Sequence, residues 1–271
     1  MLGTLRYHLD FSSRYVIPRN ITVWLPPGYT RKGRERYAVL YMHDGQNLFS
    51  PETAHGGVDW GLDSALRRLI FSDEVPATMV VGVWNSERRW REYLPQRPFN
   101  LPPGPYTQPR LSDEFKPQAL SDAYLRFIVE ELKPVIDRTY RTCPDRGHTF
   151  MMGSSMGGLI SLYALCEYPA VFGGAGCLST HWPAGEGIMI AYMREALPPP
   201  GVHRIYFDYG TETLDALYEP HQIQADKVMQ AAGYRRGEDW LTLRFEGDDH
   251  SEKSWRKRVE IPLQFLLGGL R

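Results

Sequence analysis

Residues 150–160 read Phe-Met-Met-Gly-Ser-Ser-Met-Gly-Gly-Leu-Ile, and this stretch decides the fold. A short apolar run ends in the pattern Gly-x-Ser-x-Gly, and a helical pattern follows at once. In a nucleophile elbow, a strand turns so sharply into a helix that the serine takes strained backbone angles and only very small flanking residues fit. Gly153 and Gly157 stand two residues on either side of Ser155, as that turn requires. The stretch therefore predicts a strand, a turn that exposes the Ser155 hydroxyl, and a helix.

The segments on either side of the elbow alternate between strand and helix patterns. Residues 5–9 and 20–25 alternate polar and apolar side chains, which is typical of antiparallel strands with one wet face. Residues 37–42 and 78–84 are almost continuously apolar, which is typical of parallel strands buried on both faces. Helical spacing separates the later strands, so we predict an α/β protein with a doubly wound sheet, folded as a single domain over residues 1–271.

Composition narrows the range of functions. The chain has 271 residues, 42% of them hydrophobic, and a formal net charge of −1, which gives no general attraction to nucleic acid or to an anionic membrane. Its longest apolar runs are too short to cross a bilayer, and the first ten residues show no signal-peptide pattern. The cysteines, Cys143, Cys166 and Cys177, are odd in number and lack metal-type spacing. We expect a cytoplasmic location, no metal or cofactor, and a small-molecule ligand.

A serine nucleophile needs a base and an acid, and this fold supplies them after later strands in the chain order serine, acid, histidine. His250 lies in a loop after the last predicted strand and fits the base. The loop at residues 209–215 follows the preceding strand and offers two carboxylates, Glu212 and Asp215. We favour Asp215 because Asp is the commoner partner, and Glu212 stays open.

The attacked carbonyl oxygen needs two backbone N–H donors. The amide of Met156, directly after the nucleophile, is the first by construction of the elbow. The second should come from the loop that follows residues 37–42, where Gly45 and Gln46 are both candidates. His43, in the same loop, is expected to be structural.

Residues 84–117 form a long stretch rich in proline and aromatic residues, which predicts an irregular lid or pocket wall inserted before the next helix. That helix is predicted over residues 119–140, with a kink or break at Pro134. Arginines and aromatic rings of the insertion could receive an anionic or aromatic acyl group, and a histidine and a tryptophan after a later strand could line the same pocket. The candidate substrate-binding residues are Trp84, Arg88, Trp90, Tyr93, His181 and Trp182.

Four segments together resemble a known family: residues 43–49, 153–158, 210–215 and 250–255. The chain resembles the putative-esterase family of α/β-hydrolases, and is similar to enterochelin esterases, feruloyl and acetylxylan esterases and mycolyl transferases. The resemblance implies an α/β-hydrolase fold, with a mixed, mostly parallel central sheet and helices on both faces. It also implies Ser155 as nucleophile, His250 as base, an acid in the Asp215 loop, and an oxyanion hole formed by the amides of Gln46 and Met156.

The leading hypothesis is a serine carboxylic-ester hydrolase that forms an acyl-enzyme on an acylated sugar, aryl or siderophore-like ester. An acyl transferase of the same fold and a non-catalytic binding module are the alternatives, since one fold hosts several functions. The oligomeric state is left open.

Overall fold

The computed structural model of the protein describes residues 3–30, 32–101 and 119–270, and its centre is a single eight-stranded sheet. The order across the sheet is β1-β2-β4-β3-β5-β6-β7-β8. The pairs β1–β2 and β2–β4 are antiparallel, and all other neighbours are parallel. The strands are β1 Thr4–Phe11, β2 Arg19–Leu25, β3 Ala38–His43, β4 Thr78–Val83, β5 Thr149–Ser154, β6 Gly174–Leu178, β7 Arg204–Gly210 and β8 Trp240–Phe245.

The parallel strands are buried on both faces. In β3, Val39 and Tyr41 belong to one hydrophobic cluster, whereas Leu40 and Met42 belong to a second. Successive side chains of a strand point to opposite faces, so the two clusters are the cores above and below the sheet. The helices are α1 Leu62–Phe71, α2 Arg89–Tyr93, α3 Ser121–Arg126, α4 Lys133–Thr139, α5 Met156–Glu167, α6 Ile188–Ala196, α7 Glu219–Ala231, α8 Glu252–Arg258 and α9 Glu260–Leu267.

Helices cover both faces of the sheet, which confirms the expected α/β-hydrolase architecture. The first cluster contains buried residues of α3, α5, α6 and α7, and the second contains those of α1, α8 and α9. Because the sheet is parallel at its centre, the loops that follow β3, β5, β6, β7 and β8 meet at one edge.

The predicted helix at residues 119–140 is not simply kinked or broken at Pro134. The helix continues from α3 through a π-helical segment, Phe127–Leu132, into α4, where Pro134 takes one of the first two positions. A proline removes one hydrogen bond and clashes with the carbonyl four residues earlier. The wider π-helical turn directly before it relieves that conflict without ending the helix.

In its described part, the insertion at residues 84–117 contains more regular structure than the sequence suggested. Residues 84–101 contain the short helix α2 and a 3-10 helix at Arg97–Asn100, and the remaining residues of the insertion lie outside the described ranges. Within the described part of the chain, no helix combines the length and the apolar character needed to cross a membrane.

Candidate active site

The elbow has the geometry that its sequence requires. β5 ends at Ser154, α5 begins at Met156, and Ser155 between them has φ 58° and ψ −125°. A Cβ added to Gly153 would lie 2.9 Å from the backbone carbonyl group of Gly157. Only glycine therefore allows strand and helix to approach so closely, and the bend raises Ser155 above the edge of the sheet.

His250 and Asp215 form a directly hydrogen-bonded pair. His250 lies in the loop between β8 and α8, Asp215 lies in a 3-10 helix after β7, and His250 Nδ1 is 2.5 Å from Asp215 Oδ1. The edge of the His250 ring packs against Trp255, with 5.0 Å between ring centroids. The main-chain N–H of His250 donates to Thr213 Oγ1 at 3.0 Å. Asp215 and Trp255 thus hold the imidazole, and Thr213 holds the main chain of the same residue.

Asp215 is fully buried, and its second oxygen is also engaged. Oδ2 accepts hydrogen bonds from the Gly210 amide and the Ser179 hydroxyl, each at 2.6 Å. Burial pushes the pKa of Asp215 upward, but the hydrogen bonds from His250, Ser179 and Gly210 outweigh it, so the pKa is lowered. Glu212 is exposed. Of the two carboxylates left open by the sequence, Asp215 is the one in contact with His250.

The two backbone donors expected for an oxyanion lie in first turns of helices. Met156 is the first residue of α5, and Gln46 lies in the 3-10 helix Gly45–Asn47 after β3. Amides in a first turn have no partner within their helix, so they can point toward a ligand. A Cβ at Gly45 would lie 2.4 Å from the backbone of Gly82, so this turn packs tightly on β4.

A partly buried ion pair fixes the residue before this turn. Asp44 takes a left-handed conformation, with φ 55°, and its two oxygens accept from Nε and Nη2 of Arg89 at 2.7 and 2.8 Å. Asn85 donates to Oδ1 of the same carboxylate at 2.7 Å. Burial opposes the charge, yet Arg89 and Asn85 lower the pKa of Asp44. The sequence marks Arg89 only as one of several arginines of the insertion, because its pairing with Asp44 is a contact between residues 45 positions apart.

A polar cleft of about 460 Å³ opens at Ser155 and His250. Charged and amide side chains dominate its walls, and Trp255 supplies an aromatic surface. The other lining residues are Asp44, Gln46, Asn47, His55, Asn85, Arg89, Ser154 and Glu252. Asn47 Nδ2 donates to Glu252 Oε1 at 3.2 Å, and burial raises the pKa of Glu252.

Tyr218 is buried beside Ser155, the expected nucleophile. Its hydroxyl lies 2.7 Å from His181 Nδ1 and also interacts with the Ser155 side chain. Its ring meets the His250 ring edge-on, with centroids 5.7 Å apart. Burial lowers the pKa of His181 to about 4, so this histidine is neutral near pH 7. No local sequence signal marks Tyr218, since its contacts come from three other loops.

The residues predicted to bind substrate differ in their exposure to solvent. Trp90 is 44% exposed and its ring is 5.6 Å from that of His181, which is half-buried. Arg88 is exposed and directly precedes α2, the short helix of the insertion. Trp84 donates to Thr22 Oγ1 at 2.9 Å, on the antiparallel side of the sheet.

Tyr93 and Trp182 do not form the aromatic walls of the substrate pocket that the sequence suggested. Both are buried, at 0% and 1% exposure, and Trp182 packs on Phe207 while donating to Gln222 Oε1 at 3.0 Å. An aromatic residue near a loop satisfies the same pattern whether it lines a pocket or fills the core, and here the core takes both rings.

His43 lies beneath the site as a structural residue. It is buried, its Nδ1 lies 2.8 Å from the Tyr124 hydroxyl, and burial lowers its pKa to about 3. Among residues 3–30, 32–101 and 119–270 no cluster of three or more His, Cys, Asp or Glu side chains could hold a metal ion.

The sheet, the elbow and the site at its edge define this protein as an α/β-hydrolase. A solved ferulic acid esterase shares the fold, with a TM-score of 0.69 and 18% sequence identity over 98% of this chain and 99% of that one. The chain belongs to the family described as "Putative esterase", whose model matches residues 12–260, and it is an esterase. The family expected from the sequence is thereby confirmed.

Two proteins of Bacillus subtilis (strain 168) are similar in sequence. The uncharacterized protein YbbA is 27% identical over 99% of this chain and 98% of its own length. The ferri-bacillibactin esterase BesA is 29% identical over 54% of this chain, which corresponds to 49% of BesA.

Proposed function

We propose that the protein hydrolyses a carboxylic ester through an acyl-enzyme formed on Ser155, with His250 as base and Asp215 as acid. One observation carries the proposal: an elbow serine with strained backbone angles shares a cleft with a histidine whose Nδ1 is 2.5 Å from a buried carboxylate. Serine, acid and histidine also follow one another in the chain order of this fold.

The proposed reaction begins with attack of Ser155 Oγ on the ester carbonyl carbon while His250 Nε2 takes the hydroxyl proton. The amides of Gln46 and Met156 stabilise the negative charge on the former carbonyl oxygen, each contributing roughly 3 kcal/mol. The intermediate collapses, the C–O bond to the alcohol breaks, and His250 returns the proton to the leaving oxygen. Asp215 stays ionised and stabilises the imidazolium.

The second half of the reaction uses the same groups on water. His250 takes a proton from a water molecule, which attacks the acyl carbon, and the C–O bond to Ser155 breaks. The carboxylic acid leaves and Ser155 recovers its proton from His250. The lowered pKa of Asp215 supports this role, because the acid must remain a carboxylate throughout.

The lining of the cleft supports a polar, soluble ester. Arg89, Asn85, Gln46 and Glu252 line the cleft with polar groups, which favour a substrate that carries polar groups over a simple alkyl ester. An acylated sugar, an aryl ester or a siderophore-like ester fits this chemistry. The name of BesA, an esterase of ferri-bacillibactin, points in the same direction.

The test combines active-site labelling with turnover of a nitrophenyl ester. A fluorophosphonate probe should label the wild-type protein once and leave Ser155→Ala unlabelled. Ser154→Ala is the matched control, because it removes the neighbouring hydroxyl and should keep the labelling. His250→Ala should abolish turnover while the protein stays folded. A labelled Ser155→Ala variant, or no labelling of the wild type, would contradict the proposal.

Acyl transfer is the alternative outcome of the same experiment. Turnover in the presence of a sugar or alcohol acceptor, followed by product analysis, separates the free acid from a new ester. A predominance of new ester would identify the protein as a transferase that uses the same serine. A protein that binds esters without turnover or labelling would instead be a binding module.

A further inference from the structure

Ser179 occupies an unusual place beneath the His250–Asp215 pair. It directly follows β6, it is fully buried, and its φ is 41°. A residue other than glycine rarely adopts a positive φ, and such strain persists where the surroundings demand it. Its main-chain N–H donates to the carbonyl of Asp208 at 2.8 Å and lies 3.1 Å from Asp208 Oδ1.

The surrounding donors fix the direction of the Ser179 hydroxyl. Trp255 Nε1 and Arg258 Nη2 both donate to Ser179 Oγ, each at 2.9 Å. A hydroxyl has two acceptor lone pairs and one proton. With both lone pairs engaged, the proton is left for Asp215 Oδ2, which is 2.6 Å away.

We propose that Ser179 is a positioning residue for the esterase reaction: it holds Asp215 so that Oδ1 faces His250, and it prevents a closer approach of Arg258 to that carboxylate. Neither the family match nor the triad accounts for this residue. The inference rests on the proposed function, since it assigns Ser179 a task in orienting the proposed acid.

The first part of this task is orientation. Oδ2 of Asp215 receives two donors, Ser179 Oγ and the Gly210 amide, and Oδ1 is then turned toward His250 Nδ1. Removal of the serine hydroxyl leaves one donor on Oδ2, and the carboxylate can rotate about its χ2 angle. A hydrogen bond to an ionised group is about twice as strong as one between neutral groups, so its loss should measurably change the orientation of Asp215.

The second part is control of a buried positive charge. Arg258 is 2% exposed and binds Asp208 and Asp248, each at 3.0 Å, but it remains 3.9 Å from Asp215 Oδ2. Ser179 Oγ bridges them, accepting from Arg258 Nη2 and donating to Asp215 Oδ2. A closer ion pair with Arg258 would further neutralise Asp215 and weaken its attraction for the imidazolium that forms on His250.

Two substitutions separate the hydroxyl from the backbone at this position. Ser179→Ala and Ser179→Gly both remove Oγ, but glycine accepts the positive φ without strain, so the glycine variant should melt at or above the temperature of the alanine variant. Both should lower kcat about 10- to 100-fold, with KM within about twofold because Ser179 does not line the cleft. Thr180→Val is the matched control, since it removes the adjacent buried hydroxyl, which donates to Cys177 O and not to Asp215, and it should keep wild-type kcat.

A spectroscopic measurement reports the orientation directly. The proton on His250 Nδ1, shared with Asp215 Oδ1 at 2.5 Å, should give a far-downfield proton resonance in the wild type and in Thr180→Val. In both Ser179 variants the resonance should broaden or move upfield. A folded Ser179→Gly variant with wild-type kcat and an unchanged resonance would overturn the proposal.

Failure of this inference is distinguishable from failure of the proposed function. If Ser155→Ala loses labelling and turnover while Ser179→Gly loses neither, only the role of Ser179 is refuted. If Ser155→Ala keeps both, the proposed function itself is refuted.

Discussion

Replacing Asp215 with Asn is the substitution whose outcome the structure defines most closely. An amide keeps the shape of the carboxylate but presents one oxygen and one NH2 group. At the Oδ2 position, the NH2 group would face two donors, the Gly210 amide and the Ser179 hydroxyl. At the Oδ1 position it would face only His250 Nδ1. In the second arrangement the imidazole can change tautomer and accept from the NH2 group, whereas the first arrangement loses two hydrogen bonds, so we expect the NH2 group to face the imidazole.

That arrangement places the proton of His250 on the wrong nitrogen. An NH2 donor at Nδ1 makes this atom an acceptor, so the neutral ring carries its proton on Nε2, where it cannot accept the proton of Ser155. We expect kcat to fall on the order of 10⁴-fold. The free energy of unfolding should fall by about 1–3 kcal/mol, because a buried hydrogen bond to an ionised group is lost.

Initial rates on a nitrophenyl ester across a pH series, with thermal melts of the same samples, measure both effects. Glu212→Gln is the matched control, since Glu212 is exposed three residues away and should keep nearly wild-type activity. Loss of less than tenfold in Asp215→Asn, or a larger loss in Glu212→Gln, would refute the assignment of the acid.

Three further outcomes are expected. Gly153→Ala should destabilise the elbow by about 1–3 kcal/mol, seen as a lower Tm, because its Cβ would lie 2.9 Å from backbone atoms of α5. Burial lowers the pKa of His43 to about 3, below its value near 6.5 in the unfolded chain, so the unfolded state binds more protons and stability falls from about pH 6.5 toward pH 3. His43→Gln should flatten that slope in denaturant titrations, and an unchanged slope would count against a neutral buried imidazole. Arg89→Ala leaves the buried carboxylate of Asp44 without its cation and should reduce both Tm and turnover, whereas exposed Arg88→Ala should change neither; equal effects would contradict the role of that ion pair.

Local sterics made the elbow predictable from the sequence. Gly153 is required by the backbone of Gly157, only four residues away, so this part of the pattern Gly-x-Ser-x-Gly carries its own structural explanation. A Cβ at Gly157 would instead meet His43, at 3.3 Å, a contact between distant parts of the chain. The continuous apolar runs likewise predicted the strands that are buried on both faces. The fold class and the family were confirmed on that basis.

Residues whose roles depend on long-range contacts were out of reach. Asp215 and Glu212 lie in one short loop, and only burial against α8 and β6 distinguishes them. The ion pair of Arg89 with Asp44 could not be predicted, because one position along a short helix decides whether the guanidinium of Arg88 or of Arg89 reaches that carboxylate. Aromatic residues carried no information about exposure, so two of them were assigned to a pocket wall although they fill the core.

The strained backbone of Ser155 sets folding and chemistry in competition at a single position. Its φ of 58° and ψ of −125° lie in a region that costs a serine about 1–3 kcal/mol and a glycine little. Selection for thermostability alone would therefore favour replacement of Ser155, the proposed nucleophile, by glycine, and the proposed function predicts that this better-folded variant is inactive. If a directed-evolution library is screened only for expression, we expect substitutions at position 155 to accumulate early. A screen that also selects for turnover should retain Ser155.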